Sequence, residues 1–218
     1  MAAGQPLRGL VAQGMDGRKA SPTAYAYTFP PGTYTWVAPV GAVWKFVLWG
    51  GGGGGNNGGP WGGGSGALYI AERFIPGGAS ATITTGLGGA AGGGDGGSST
   101  VTLPGGEVLT AGGALATVSE AGGSVTANRN TDVVYAGSAG GNGVGVAGGN
   151  GLGGAGGTGG AGSGLGGGGA GSPGFGTFRG ANGATSTLPV RAPSAGGAVD
   201  GATGSRGGDG LILIQRVT

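Results

Sequence analysis

The chain has 218 residues, of which 66 are glycine and 11 proline, and its 10 basic and 8 acidic side chains leave a formal net charge of +2. The absence of cysteine and histidine excludes disulfide frameworks, thiolate or imidazole metal sites, and Ser-His-Asp or Cys-His catalysis. Glycine at this density argues against a packed domain, because it loses the most backbone freedom on ordering. Yet 37% of residues are hydrophobic and the mean hydropathy is +0.13, which is not the composition of a disordered chain.

In chain order, residues 1–24 mix Gly, Pro and charges without periodicity and read as an N-terminal arm suited to attachment. They lack the apolar run of a secretory signal. Short β-branched and aromatic runs follow: YAYTF at 25–29, TYTWV at 33–37, VWKFVLW at 43–49, ALYIAERFI at 67–75, SATITT at 80–85, STVTL at 99–103, EVLTA at 107–111 and, at the far end, LILIQRV at 211–217. Their length and the Gly or Pro between them predict strands, and no window carries a capped 3.6-residue period, so almost no α-helix is expected. FPPGT at 29–33 predicts a tight turn folding 25–29 back on 33–37. LPGGE at 103–107 predicts a hairpin in which Gly105 or Gly106 supplies the positive φ.

Alternation in VWKFVLW puts Trp44, Phe46 and Leu48 on one face and Val43, Lys45, Val47 and Trp49 on the other. With both faces largely apolar, this strand belongs in the middle of a sheet, and LILIQRV is its expected partner. Pairing an early strand with the last one closes residues 25–218 into a single glycine-rich β domain.

Between the strands lie glycine segments at 50–66, 86–97, 111–123 and 137–176, the last extending to 183 as the main one. Glycine recurs at 145, 148, 151, 154, 157 and 160, a period of three that belongs to polyproline II geometry. One proline in this stretch is too few for collagen, and a flexible linker is the plain alternative. A lone polyproline II helix has no internal hydrogen bonds. Several packed side by side, with glycine wherever backbones touch, can bond to one another and can be anchored by flanking strands. The preferred fold is therefore an antiparallel β-sandwich or jelly-roll-like base carrying a bundle of glycine-rich polyproline II helices.

The ordered set YTFPPGTYTWVAPVGAVWKFVLWGGGGGG, GGSGALYIAERF, IPGGASATITTGLGGAAGGGDGGSSTV and GSRGGDGLILIQRV resembles the glycine-rich domain of tailed-phage tail and fibre-tip proteins, over roughly residues 25–218. Similar glycine-rich domains occur in phage long-tail-fibre adhesins, in certain animal receptor kinases and in an insect antifreeze protein, so the likeness speaks to fold more than to role. It implies a virion structural protein, a tail-fibre or tail-tip component that binds the host cell surface. The alternative is a structural virion protein without receptor contact, such as a head decoration, head fibre or tail-assembly subunit. An enzyme and an ice-binding protein rank below both. A homotrimer is expected, with the arm held by other virion tail proteins.

Candidate contact residues are Asn56, Asn57 and Trp61 in one glycine segment and Phe175, Phe178 and Arg179 in SPGFGTFRG. An aromatic ring beside amide donors suits stacking on a sugar of a surface polysaccharide, or anchoring on a surface protein. The competing reading has Trp61 capping the bundle or packing on a neighbouring subunit. The carboxylates are scattered, and Asp95 and Asp209, just before strands, are expected to accept backbone N–H bonds rather than to hold calcium. No cofactor or metal is expected. The scattered Arg and Lys residues argue against nucleic acid. Residues between Asp132 and Arg179 are uncharged but too poor in large apolar side chains to enter a membrane.

Overall fold

The computed structural model describes residues 26–55, 63–115, 121–137, 139–140, 199–200, 203–204 and 206–217. These form eleven strands: β1 (Ala26–Phe29), β2 (Gly32–Val37), β3 (Ala42–Trp49), β4 (Leu68–Ile75), β5 (Ser80–Thr85), β6 (Ser99–Thr102), β7 (Val108–Ala111), β8 (Val133–Tyr135), β9 (Val199–Asp200), β10 (Thr203–Gly204) and β11 (Leu211–Arg216). No helix occurs among the described residues. One antiparallel sheet has the order β1-β11-β3-β4-β8 and a second β2-β5-β6-β7, while β9 and β10 pair with each other.

The first sheet is built around β3, whose two apolar faces need cover on both sides. It pairs with β11 in the register Leu48↔Ile212 and Phe46↔Ile214, and with β4 in the register Leu48↔Tyr69 and Phe46↔Ala71. Trp44, Phe46 and Leu48 point to the second sheet and have no exposed surface. Across from them stand Trp36, Ile83, Val101 and Leu109, one from each strand of the second sheet, in a single buried cluster. Trp36 meets Trp44 edge to face, with ring centroids 4.9 Å apart, the arrangement that the quadrupoles of two indoles favour. Each side chain of this size contributes about 1.5–3 kcal/mol on burial, so this cluster is the main stabilising term. On the opposite face of the first sheet, Val47, Trp49 and Leu68 form a smaller buried cluster with Ile70, Leu211 and Leu213 packed against it.

At 103–107 the chain makes the expected hairpin, and both glycines carry the positive φ: Gly105 at 97° and Gly106 at 91°. The turn at FPPGT does not fold 26–29 back on 33–37. Instead β1 pairs with β11 and β2 with β5, so the chain passes there from one sheet to the other. The reason lies in the two prolines. A residue before proline is held extended, so Pro31 keeps Pro30 out of the helical region that the first central position of a type I turn requires. The Phe29 carbonyl is taken instead by Thr85 Oγ1 of the second sheet, at 3.2 Å.

Registers also sort the connections by end. The turns at 38–41, 76–79 and 103–107 lie at one end of the sandwich. β3, β5, β7 and β8 all run out, and β4, β6 and β11 all start, at the opposite end. The glycine segments are thereby delivered to one place by strands that cannot move independently.

Candidate functional site

At that end the described glycine segments, within 50–55, 63–67, 86–97, 112–115, 121–124 and 206–210, bond to one another through their backbones. The central one is 50–55, buried throughout. Its amides donate in rotation: Gly50 to Ala67 O at 2.9 Å, Gly51 to Gly97 O at 2.8 Å and Gly52 to Gly208 O at 2.9 Å. Gly53 then returns to the first neighbour through Gly64 O, and Gly54 to the second through Gly94 O. Carbonyls are used as well: Gly51 O accepts from Ala114 N at 2.9 Å and Gly52 O from Gly89 N at 2.8 Å. The accounting that makes a buried loop costly is therefore met, for the central segment, by bonds to its neighbours.

Only glycine permits this spacing. A Cβ on Gly51 would overlap the Leu87 carbonyl oxygen, one on Gly54 the Ala90 oxygen, and one on Gly96 the oxygen of Gly51 itself. Two side chains tie the layer to the sandwich below. Ser99 Oγ, fully buried at the start of β6, donates to Trp49 O at 2.6 Å and accepts from Gly86 N at 3.0 Å, joining the ends of β3 and β5. Asp209 Oδ1 accepts from Gly88 N at 2.8 Å and pairs with Arg206, so the backbone-capping role expected of Asp209 is met across 121 residues of sequence.

The candidate contact residues Asn56, Asn57, Trp61, Phe175, Phe178 and Arg179 lie outside the described residues, as do the arm at 1–24 and the period-three stretch at 145–160. The chain leaves the described layer at Gly55 and rejoins it at Gly63, just beyond the Gly53–Gly64 hydrogen bond.

At the turn end of the sandwich is a charged cluster that the sequence did not signal. Arg73 sits on the inward face of β4 with only 3% of its side chain exposed. Its guanidinium bonds Glu107 (Nη2 to Oε1, 2.7 Å) and Asp132 (Nη1 to Oδ1, 2.7 Å; Nη2 to Oδ2, 2.9 Å). Asp132 Oδ2 also accepts from the Tyr69 hydroxyl at 2.6 Å and from Arg129 N at 3.0 Å. Tyr69 Oη accepts from Asn128 N, and Arg129 reaches Glu107 at 2.6 Å. Burial alone raises the Asp132 carboxyl, but Arg73 and Tyr69 outweigh it and hold the group down at about 2. Arg73 likewise lowers Glu107, while burial and then Asp132 push the Tyr69 hydroxyl up to about 12. The Arg73 guanidinium, both carboxylates and the Tyr69 hydroxyl each have partners inside the cluster, so it acts as a clamp joining β4, the turn before β7 and the 125–132 segment.

Spacing could not have found this clamp, since Arg73 lies 34 positions from Glu107 and 59 from Asp132. The one available signal was an arginine on the inward face of an otherwise apolar strand, LYIAERFI, because a guanidinium is buried only with partners. Among the described residues no group of three or more Asp or Glu side chains could hold a metal ion, and no helix is long and apolar enough to cross a membrane. No protein-family model matches the chain, and no curated protein matches it either.

Proposed function

We propose that the protein is a structural component of a phage virion, a tail-fibre or tail-tip module that binds the host cell surface without enzymatic activity. In this reading the glycine segments are polyproline II helices bundled at one end of the sandwich, and the connectors beyond them present contact residues to a surface polysaccharide or protein. The supporting observation is the rotation of hydrogen bonds from 50–54 among three neighbours, returning to the first and to the second after three residues. Three residues per turn is the polyproline II repeat, and a bundle bonded in this way holds its ends rigidly without a hydrophobic core. A preorganised tip loses less entropy on binding than a flexible loop does.

Asn56, Asn57 and Trp61 are assigned to the contact surface in this proposal because they fall in the sequence between Gly55 and Gly63, and Phe175, Phe178 and Arg179 because of their aromatic and guanidinium chemistry. The module is expected to act as a homotrimer, with residues 1–24 engaging another tail protein. The test is competition: purified protein should bind host cells and block adsorption of the phage that carries it. Trp61→Ala should lose that binding while keeping its unfolding midpoint. Folded protein that neither binds nor competes would refute the adhesin role.

A structural role without receptor contact is the second reading. It is favoured by the apolar surface at the turn end, where Phe74 is 66% and Val43 40% exposed as cross-strand neighbours, a surface suited to burial against another virion subunit.

A further inference from the structure

The two sheets leave four outer edges, and three of them are guarded. β8 has three residues, and β1 four among the described residues, too short to template a partner strand. β7, also four residues long, is capped by Asn128 Nδ2, which donates to Val108 O at 2.7 Å, and is flanked by the Glu107–Arg129 ion pair. The fourth edge is different. β2 runs for six residues, Gly32–Val37, pairs only with β5 among the described residues, and contains no charge and no proline. These are the features by which edge strands are normally kept from pairing with other chains, and β2 lacks all of them.

We propose that the β2 edge is an interface at which a second copy of this chain adds its own β2, antiparallel across a two-fold axis, joining the two four-stranded sheets. The strand is self-complementary in that arrangement. Centred on Thr35, the pairing sets Thr33 against Val37 and Thr35 against Thr35 on the outer face, and Tyr34 against Trp36 on the inner one. β-Branched and aromatic cross-strand pairs are the favourable ones, and the one residue that meets its own copy at the axis, Thr35, carries no charge. Thr33, Thr35 and Val37 are exposed, so their side chains are open to cross-strand pairing on the outer face. The contact is independent of the host-binding proposal, and because it doubles whatever unit the chain otherwise forms, the trimer expected above would be found as a hexamer.

The full-length protein tested by sedimentation equilibrium should therefore have a mass that is an even multiple of the chain. Thr35→Lys and Thr35→Glu each place like charges in contact at the two-fold axis and should halve that mass with an unchanged circular dichroism spectrum. Mixing the two variants in equal amounts should restore it. Thr82→Lys, one strand further in and paired with Thr35, should leave the mass unchanged. A wild-type monomer or trimer, or a mass unaffected by Thr35→Lys, would overturn the proposal. The latter result is also what cover of the edge by the chain's own residues 1–25 would give.

Discussion

Replacing Gly51 by alanine tests whether the glycine layer is packed structure or filler. The added methyl overlaps the Leu87 carbonyl oxygen, so the segments must part by about 1 Å to reach an ordinary carbon–oxygen contact. That displacement acts on two hydrogen bonds, from Gly51 N to Gly97 O and from Ala114 N to Gly51 O, worth about 1 kcal/mol each. Overpacking strain adds about 1–3 kcal/mol, and the reduced freedom of the unfolded chain returns about 0.4–1 kcal/mol. The net expectation is a loss of about 3 kcal/mol, a large part of the stability of a typical domain. Urea unfolding followed through the buried Trp36, Trp44 and Trp49 measures it, because the layer hangs from the strands that carry those residues. Gly105→Ala is the control: its methyl meets nothing within 4 Å, so only the positive φ is at stake, about 1 kcal/mol. If Gly51→Ala proves as stable as the parent or more so, as in a linker where alanine merely stiffens the unfolded chain, the reasoning is wrong.

Other outcomes follow from the same contacts. Asp132 has a folded pKa of about 2 against an ordinary value of 3.8, so the unfolded chain binds more protons between those values. Its stabilisation is complete above about pH 4 and lost as pH falls through about 2, a change of about 2 kcal/mol, and Glu107 acts in the same direction. Acid titration of the unfolding free energy should show that loss, and Asp132→Asn should flatten it. Arg73→Met leaves the fully buried Asp132 carboxylate without its cation and should cost about 3–5 kcal/mol in urea unfolding at neutral pH. Ser99→Ala removes the side-chain bonds to Trp49 O and Gly86 N, both in buried residues, and should cost about 2 kcal/mol, with faster hydrogen exchange at 86–97 than in the core strands.

Much of the sandwich was legible because its signals are local. The strand runs at 26–29 through 108–111 and at 211–216 stand out against glycine. The double apolar face of β3 placed it centrally, and LILIQRV, its expected partner, lies beside it, with β4 on the other side. β8 was missed because three residues in TDVVYAG carry too little pattern, and they are a strand only where β4 offers an edge. The prolines at 30 and 31 were misread because a turn motif specifies that the chain bends, not which sheet receives it.

What the sequence determined by itself is therefore the all-β class, the LPGGE hairpin and the central pair of strands, each written in alternation or in a short run of turn residues. Tertiary structure alone decided which carbonyl each glycine amide meets, and that Ser99, Asp209 and Arg73 join distant segments. Those choices follow from where strand ends lie in space. Glycine, having no side chain, carries no record in the sequence of the neighbour its backbone will touch.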